Sequence, residues 1–583
     1  MRVLIFLAAA LLAAAVAAPV AAQTRPAIAP YQTVHHPVYG RAGMVASQNA
    51  TASQIGADVL ADGGNAVDAA VAIGFALAVT VPRAGNIGGG GFMLVHDAES
   101  GETKAIDYRE TAPLGASREM FLDAEGNADP QASRFSHRAA GVPGTVAGLF
   151  AAHEAFGRLP WKRLVTPAAR LARDGTLVTK DYADQTAFYK ERLCRQRASC
   201  NYFFKDGGEA YAFGERRVQA DLAWALELIA EQGAAAFYEG EIADKIVAEM
   251  ENGDGLIDSA SLAAYTPEIR EALRGEYRGY EIVAMPPPSS GGVAILQMLN
   301  ILEHFPVGEM GAGSADSVHL LAEVMRLAYA DRSKHLGDPD FYPVPLTWLT
   351  SKAYAAQLAE TIDMQRARPS AEVSAGVAPA PESMDTTHYT VIDAEGNIVS
   401  NTYTLNLSYG SGISVSGAGF LLNNEMDDFV SKPGVPNAYG LAGGEANAVE
   451  ARKRPLSSMV PVIVLDEGRP WFATGSPGGS RIITTVLQMI VNMIDYGMNL
   501  ADATDQPRMH HQWYPDRLFL ETGFGPDTIK LLEERGHIVN VQGSVTTSLQ
   551  SVAYKDGLFR GASDPRRPNA AAIAPPAADA AAD

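Results

Sequence analysis

A threonine pair at residues 386–387 marks an abrupt change in the character of the sequence. The stretch 367–384 is rich in Pro, Ala and Ser without periodicity, which is typical of a linker, whereas "TTHYTVID" from Thr386 alternates like a β-strand. A threonine hydroxyl is a weak nucleophile unless a base lies beside it. Cleavage of the Asp385–Thr386 bond would release an α-amino group on Thr386, and such a group has a pKa of about 7.7–8. If the chain were cut before Thr386, that residue would therefore be a nucleophile that carries its own base.

Three motifs downstream of Thr386 carry polar groups that such chemistry could use. "TYTLN" alternates, so its polar residues share one face of a strand; "LLNNEMDDF" supplies carboxylates, and "KRPLSSM" supplies hydroxyl donors. Each motif alone also has an ordinary interpretation, because Thr is common in strands and carboxylates are commonly solvated. The residues concerned are Thr402, Thr404 and Asn406, then Glu425, Asp427 and Asp428, then Ser457 and Ser458.

Two glycine motifs favour backbone chemistry over a serine nucleophile or a phosphate loop. "TGSPGGS" has Thr474 where G-x-S-x-G requires glycine, so the nucleophile elbow of serine hydrolases is absent. Gly478 and Gly479 lead into a predicted helix, which makes their N–H groups candidates for an oxyanion hole. "IGGGG" (87–91) lacks the P-loop pattern and predicts a close approach of backbone segments.

Helical and strand patterns are interspersed along the chain, which predicts an α/β or α+β fold. "NAVDAAVAIGFALAVTV" is almost entirely apolar and predicts a buried helix. Further helical patterns lie at 144–156, 220–232, 291–304, 315–331 and 480–494, and strand patterns at 388–393, 397–405 and 459–466.

Composition and the chain ends limit the class of protein. The chain has 583 residues and a net charge of −21, which argues against a nucleic-acid binder because such proteins need a basic face. Residues 1–22 read as a signal peptide, with Arg2 before an apolar run and small residues near Ala22, so we expect an exported, periplasmic or secreted protein without a stable membrane span. A membrane anchor is the alternative. The Ala/Pro-rich tail 568–583 predicts disorder.

The chain has only two cysteines, Cys194 and Cys200. In an exported protein such a close pair can form one local disulfide, and two free thiols are the alternative.

Taken together, the motifs resemble the γ-glutamyltranspeptidase (γ-glutamyltransferase) family. The resemblance rests on "TTHYTVID", "TYTLN", "LLNNEMDDF", "KPGVPNAYGL", "KRPLSSM" and "GSPGGSRIITTVLQ", together with "GNIGGGGFML", "DYRETAP", "PPPSSGG" and "GASDPR". These segments span about 43–567 in the family's order. The resemblance implies an N-terminal-nucleophile (Ntn) hydrolase fold, an αββα sandwich. It also implies that the precursor cuts itself into a large chain (23–385) and a small chain (386–583), which together form a heterodimer.

The family resemblance also implies roles for individual residues. Thr386 would be the nucleophile in both self-cleavage and catalysis, with Thr404 bonded to its hydroxyl and Gly478 and Gly479 holding the oxyanion. The adjacent Thr387 is the rival nucleophile, but in a strand its side chain would point to the opposite face, and the family's motif has the cut before the first threonine of the pair. The substrate's α-carboxylate would meet Arg109, Ser457 and Ser458, and its α-ammonium would meet Asn406, Glu425 and Asp428. Tyr439, in the lid-like stretch 432–444, would cover the bound glutamyl group.

The implied reaction has two steps and needs no metal or organic cofactor. Thr386 attacks the γ-amide of glutathione or a related compound, and the γ-glutamyl ester passes to water or to an amino acid or dipeptide acceptor. Three alternatives remain: an Ntn acylase for glutaryl-cephalosporin-type amides, an exported binding protein without chemistry, and a glycosidase using Glu425, Asp427 and Asp428. Carboxylates this close on one segment do not have the fixed opposed geometry of a glycosidase.

The sequence predicts a specific pattern of processing. Purified protein should run as two chains on a denaturing gel, and N-terminal sequencing of the smaller chain should begin at Thr386. Thr386→Ala should remain uncut and inactive, because it lacks the hydroxyl that attacks. A single uncut chain with full activity would refute this mechanism.

Overall fold

Two seven-stranded antiparallel sheets form the centre of the protein. The computed structural model describes residues 35–373, 386–432, 434–435, 437–441, 443–544 and 547–577. One sheet has the order β1-β18-β17-β13-β12-β9-β8 and the other β19-β2-β10-β11-β3-β4-β7. The strands are β1 (Val38–Gly40), β2 (Gly43–Ser47), β3 (Gly90–His96), β4 (Thr103–Tyr108), β5 (Thr176–Leu177), β6 (Arg216–Arg217), β7 (Glu268–Glu271), β8 (Leu273–Tyr277), β9 (Tyr280–Ala284), β10 (Thr387–Asp393), β11 (Ile398–Thr404), β12 (Val462–Asp466), β13 (Arg469–Thr474), β14 (Met509–His510), β15 (Leu518–Glu521), β16 (Val539–Gln542), β17 (Gln550–Lys555), β18 (Leu558–Ser563) and β19 (Ala571–Ile573).

Helices cover the outer faces of both sheets. They are α1 (Ala50–Ala61), α2 (Ala66–Thr80), α3 (Pro130–Phe135), α4 (Thr145–Phe156), α5 (Trp161–Asp174), α6 (Lys180–Phe188), α7 (Lys190–Leu193), α8 (Arg197–Phe203), α9 (Ala220–Gln232), α10 (Ala235–Tyr238), α11 (Glu241–Asn252), α12 (Ser259–Ala263), α13 (Ser290–Leu302), α14 (Val307–Met310), α15 (Ala315–His335), α16 (Leu346–Leu349), α17 (Lys352–Ala359), α18 (Arg481–Ile494), α19 (Leu500–Asp505) and α20 (Pro526–Glu534). Helices α1, α2 and α4 pack on the β10-containing sheet, and α13 packs on β8 and β9 of the other.

Alternation along the strands separates the two hydrophobic cores. Met44 and Ala46 of β2 pack in the core that contains the other sheet and α13, whereas Val45 between them packs against α1 and α2. Helix α2 is buried all round, as its nearly continuous apolar sequence predicts. Asn65 caps this helix and Asp68 completes a capping box. The predicted αββα sandwich is therefore confirmed.

The structure settles the state of the two cysteines, which the sequence left open. Cys194, after α7, and Cys200, within α8, form a disulfide with an S–S distance of 2.08 Å. None of the helices in the described ranges is both long and apolar enough to span a membrane. The predicted signal peptide, residues 1–22, lies outside the described residues.

The expectation of disorder from residue 568 is wrong for the described part of the tail, 568–577. Strand β19 pairs with β2, with Ala572 opposite Ala46, and so closes one edge of its sheet. Two further bonds hold the segment: Ser53 Oγ donates to Ala571 O at 2.8 Å, and Ala50 N donates to Asn569 O at 2.8 Å. Composition predicted disorder because Ala and Pro are weak strand formers, but an available sheet edge overrides that preference.

Truncation tests the contribution of β19 to stability. A chain ending at Pro568 loses the β19–β2 ladder and the bonds to α1, each worth about 1 kcal/mol net, so we expect the free energy of unfolding to fall by roughly 2–4 kcal/mol. A chain ending at Ala577 keeps the strand and should match the full-length protein. Urea unfolding of the three proteins measures the difference, and equal stability of both truncations would contradict the prediction.

Candidate active site

The register of two neighbouring strands places Thr386 opposite Thr404. Thr387 of β10 pairs with Tyr403 of β11, so the residue before β10 lies across from the last residue of β11. The hydroxyl oxygens of Thr386 and Thr404 are 3.2 Å apart, and Asn406 N donates to Thr404 Oγ1 at 2.9 Å. Thr386 is only 3% exposed. Asp385, on the other side of the predicted cut, lies outside the described residues.

Thr387, the rival nucleophile, contacts a different part of the molecule. Thr387 packs against Gly85, in the loop after α2: a Cβ built on Gly85 would lie 2.8 Å from Thr387 Cγ2. Thr386 lines the cavity described below and Thr387 does not. The alternation expected of a strand therefore separates the two hydroxyls onto opposite faces.

The glycines of "IGGGG" allow the backbone to approach closely behind the Thr386–Thr404 pair. A Cβ on Gly89 would lie 1.9 Å from Thr404 O, and one on Gly88 would lie 2.0 Å from Leu421 O. No side chain fits at either distance. The sequence prediction of a close approach is confirmed, and the packing fixes the end of β11 where Thr404 stands.

Gly478 and Gly479 form the turn before helix α18. Gly478 has φ +132° and Gly479 has φ +53°, conformations that favour glycine. A Cβ on Gly479 would also lie 2.3 Å from Tyr439 Cδ1. The turn stands at a helix N-terminus, where the local potential is positive. This arrangement suits stabilisation of a developing oxyanion.

A buried ion cluster lies at the end of β4. The Arg109 guanidinium donates to Glu425, and its Nη2 lies 2.5 Å from Asp428 Oδ2. Arg109 Nε donates to Pro455 O at 3.2 Å. Arg109 and Glu425 are almost fully buried, and the short helical turn Glu425–Asp428 brings both carboxylates to the same cation. The resemblance assigned Arg109 to a substrate carboxylate, but here the guanidinium bonds directly to the two acids.

Burial dominates the electrostatics of this cluster. It raises the pKa of the Asp428 carboxyl to about 6, although the Arg109 guanidinium acts in the opposite direction. It raises the pKa of Glu425 well above its ordinary value, again against the pull of Arg109. Glu110, whose Oε2 lies 3.5 Å from Arg109 Nη1, has its pKa raised by burial to about 7. Arg109 therefore opposes the effect of burial and favours the ionised forms of these acids.

Two buried acceptor atoms near Thr386 have no hydrogen-bond partner among the described residues. They are Asn406 Oδ1 and Glu425 Oε2. Asn406 has a left-handed backbone, with φ 73°, and its amide nitrogen donates to Asn424 O at 3.0 Å, so its oxygen is held in a fixed direction. An unsatisfied buried acceptor costs about 1–3 kcal/mol. Both residues line the same cavity, so the pair is suited to bind a group that donates several hydrogen bonds.

The described part of the lid-like stretch is tied to the rest of the site. Tyr439 OH donates to Asn406 O at 2.6 Å. Ala438 N donates to Asp427 Oδ2 at 2.8 Å, and Asn437 Nδ2 donates to Asp428 Oδ1 at 3.1 Å. Asp427 thus holds the lid, which differs from the acid/base role considered for a glycosidase. Tyr439 lies between the turn at Gly479 and the strand end at Asn406.

Ser457 and Ser458 face the cavity together with an arginine that the sequence reasoning missed. Arg332, in the last turns of α15, donates to Ser458 Oγ at 3.2 Å and to Ser290 Oγ at 2.8 Å. It is buried, and burial lowers its pKa. An arginine near a helix C-terminus ordinarily complements the helix dipole at the surface, so its sequence position gave no signal.

One cavity collects most of the predicted site residues. Two of the predicted residues do not line this cavity: Arg109 lies behind its wall, and Gly478 lies beside it. The lining residues are Thr386, Thr404, Asn406, Glu425, Asp428, Tyr439, Ser457, Ser458 and Gly479, with Arg332, Leu441, Met459 and Ile482.

Comparison with known proteins gives a consistent result. The model of the family described as gamma-glutamyltranspeptidase matches residues 52–574. The glutathione hydrolase proenzyme of Escherichia coli (strain K12) is 53% identical over 535 residues, 92% of each chain. The structure of cephalosporin acylase from Bacillus halodurans is similar with a TM-score of 0.82 and 27% identity, over 94% of this chain and 98% of that one. Helicobacter pylori gamma-glutamyltranspeptidase matches with a TM-score of 0.55 and 45% identity, over 56% and 93%.

Removal of the Arg109 cation should destabilise the protein in a pH-dependent way. The raised carboxyl pKa values mean that these acids favour the fold when protonated, and that this contribution is lost as pH rises through about 6 for Asp428. Without Arg109 the ionised acids are uncompensated, so Arg109→Gln should cost about 3–5 kcal/mol at pH 8 and clearly less at pH 5.

Urea unfolding at the two pH values measures this effect. The control is Arg138→Gln, which removes an exposed partner of Asp254 and should change stability by no more than about 1 kcal/mol at either pH. A loss for Arg109→Gln that does not depend on pH would contradict the interpretation.

Proposed function

The chain belongs to the γ-glutamyltranspeptidase family, and we propose that Thr386 is the nucleophile with which it hydrolyses and transfers γ-glutamyl groups. Its activity is that of a γ-glutamyltransferase and glutathione hydrolase of the Ntn type, acting on glutathione-type substrates, and the chain is a processed precursor. The assignments of individual residues and of the two product chains are our proposal.

The proposed binding of the α-amino-acid end of the substrate rests on the two unpartnered acceptors, Asn406 Oδ1 and Glu425 Oε2. A γ-glutamyl group has an α-ammonium with three donors and an α-carboxylate. The ammonium would bind Asn406, Glu425 and Asp428, which supply fixed oxygen acceptors in a buried site. The carboxylate would receive hydrogen bonds from Ser457 and Ser458 and a charge interaction from Arg109, whose guanidinium is bonded to Glu425 and Asp428 behind the cavity wall.

Arg332 extends this proposal beyond the residues expected from sequence. Its guanidinium lines the cavity and holds Ser458 Oγ and Ser290 Oγ. We assign it the role of positioning the serine donors and of adding positive potential beside the carboxylate. A buried arginine of this kind favours an anionic group at that end of the cavity.

Chemistry would begin once Thr386 is the first residue of its chain. Its α-amino group takes the proton of Oγ, directly or through one water, as Oγ attacks the γ-amide carbonyl carbon. Thr404 hydrogen-bonds the attacking hydroxyl, and the N–H groups of Gly478 and Gly479 stabilise the oxyanion. The ammonium that formed returns the proton to the leaving amine, which departs with the amide nitrogen.

The second half of the reaction reverses these steps with a new nucleophile. Water or the amine of an amino acid or dipeptide gives a proton to the Thr386 α-amino group and attacks the ester carbonyl. The C–Oγ bond breaks, Oγ regains its proton, and glutamate or a new γ-glutamyl amide leaves. No metal or organic cofactor takes part in this scheme.

We also propose the route by which the chain matures. Residues 1–22 direct export and are removed, and self-cleavage before Thr386 then yields chains 23–385 and 386–583 that remain together as a heterodimer. The hydroxyl of Thr386 serves for cleavage of its own peptide bond and later for substrate. Export places the mature enzyme in the periplasm or outside the cell.

An acylase for glutaryl-cephalosporin-type amides is the second candidate, because a cephalosporin acylase shares this architecture. A glutaryl group lacks the α-ammonium. It would leave Asn406 Oδ1 and Glu425 Oε2 without donors, and its carboxylate would lack the adjacent ammonium that offsets the charge of two buried acids. The site therefore favours γ-glutamyl compounds over glutaryl amides.

Paired substrates test the ammonium site directly. We expect kcat/KM for γ-glutamyl-p-nitroanilide to exceed that for glutaryl-p-nitroanilide by at least about 100-fold, because charge-assisted bonds are worth about 1.5–3 kcal/mol each. Asp428→Asn should lower the γ-glutamyl value by about 10–100-fold and change glutaryl turnover little, since only the first substrate loses an ionic partner. Equal losses on both substrates would show a general structural defect, and preference for the glutaryl amide would reject the proposal.

A further inference from the structure

We propose that His319, Glu323 and His537 form a zinc-binding site that joins the two product chains. The three side chains are buried, and their potential ligand atoms all lie within 4.8 Å of one another. None of them lines the cavity around Thr386. The inference stands apart from the proposed catalytic function, except that the joining of two chains depends on the proposed cleavage.

The fold brings the three ligands together from two separate elements. His319 and Glu323 are four residues apart on α15, so they project from the same face of the helix. His537 follows α20, which packs against α15. A ligand pair on one helix with a third ligand from another element gives a pre-formed site of low conformational cost.

The hydrogen bonds of the two histidines select the tautomers that a metal needs. His319 Nε2 lies 2.8 Å from the carbonyl oxygen of Asp363, so this nitrogen must carry the ring proton and donate. His319 Nδ1 is then a bare lone pair, and it lies 2.8 Å from His537 Nε2. A metal-binding histidine typically donates its other N–H to a carbonyl or carboxylate in this manner, which fixes the ring.

Metal binding at this pair requires only a proton shift within His537. In the metal-free site His537 Nε2 donates its proton to His319 Nδ1. When zinc binds both nitrogens, that proton moves to Nδ1 of His537, and the ring stays neutral. At about 2.0–2.1 Å from zinc, tetrahedral ligand nitrogens lie roughly 3.3–3.4 Å apart, so the two nitrogens need to separate by about half an ångström and the rings need to turn towards a common point.

The surroundings favour neutral histidines and tolerate a cation. Burial lowers the pKa of both histidines, and that of His537 falls to about 2 with added effects of the neighbouring histidines and Arg326. Arg326 Nη2 lies 3.1 Å from Glu323 Oε1, and the same guanidinium donates to Asp516. Two carboxylates, Glu323 and Asp516, thus share the charge of one arginine.

Zinc matches this ligand set better than calcium or magnesium does. Two imidazole nitrogens and one carboxylate are common zinc ligands, whereas calcium and magnesium prefer oxygen ligands. In the product chains His319 and Glu323 would belong to residues 23–385, and His537 to residues 386–583. One ion would therefore bond to both chains at a place remote in sequence from the cut.

Zinc binding is measured on the full-length protein after removal of metals with a chelator and dialysis. Titration with zinc against a coloured competitor chelator should give one equivalent per protein molecule, that is, one for each pair of product chains. Cobalt as a replacement should give visible absorption bands of a low-symmetry site. His319→Gln and His537→Gln should each weaken binding by more than the roughly 10–100-fold that loss of an outer hydrogen-bond partner costs.

Matched variants keep the result interpretable. His304→Gln removes an exposed histidine and should bind zinc like the wild type. Glu323→Gln preserves the size of the side chain and one of its two acceptor oxygens, so it serves where a histidine variant fails to fold, and it should weaken binding too. Zinc should also raise the Tm of wild type but not of His537→Gln. Absence of stoichiometric binding in wild type, or unchanged binding in both His537→Gln and Glu323→Gln, overturns the site.

The uncut Thr386→Ala protein separates this inference from the proposed function. It should bind zinc like the wild type, because all three ligands are present before cleavage. Normal processing and turnover of γ-glutamyl-p-nitroanilide without zinc binding would reject the metal site alone. Zinc binding by a protein that never cleaves would support the site and reject its role between two chains.

Discussion

The antiparallel register between β10 and β11 is the constraint on which the rest of the site depends. It sets Thr386 across from Thr404, and a slip by one residue would exchange Thr386 for Thr387 and turn the hydroxyl to the opposite face. Close packing prevents such a slip, because Gly89 leaves no room for a side chain against Thr404 O. Strands β2 and β3 flank the pair on both sides, so Thr386 immediately precedes a central strand of the sheet.

Burial of charge is the second organising feature. It follows because β10 and β11 lie deep in the sandwich, so the acids near their ends are buried too. The acids near Thr386 are buried away from water, so each needs a neighbouring cation or hydrogen-bond donors. Arg109, at the end of β4, supplies both. An amino-acid group carries one positive and one negative charge. It can therefore exchange partners with the Arg109–carboxylate cluster without a change in the net charge of the site.

The elements that sequence predicted well are those whose signal is local. The apolar run of α2, the helices over 220–232 and 480–494 and the strand from Thr387 all lie within one or two residues of their predicted bounds. Pairings between distant segments, such as β19 with β2, could not be predicted, because a periodic pattern carries no information on its partner. The prediction of a disordered tail was wrong for this reason.

The composition of the candidate site was predictable, but its bonds were not. Residue types and motif order identified Thr404, Asn406, Glu425 and the serine pair, all of which the fold brings to one cavity. Direct bonding of Arg109 to the acids, and the presence of Arg332, depend on how strands and α15 meet in space. Neither contact has a signature in the spacing of residues along the chain.

Each sheet contains strands from both sides of residue 386, and this has a consequence for the lifetime of the cleaved protein. β2 lies between β19 and β10, and β18 lies between β1 and β17. After a cut before Thr386, one chain could leave the other only by breaking several ladders at once, so the barrier to separation is close to that of global unfolding. Product chains would therefore not exchange between molecules, and the two chains of each enzyme would be those that folded together as one precursor.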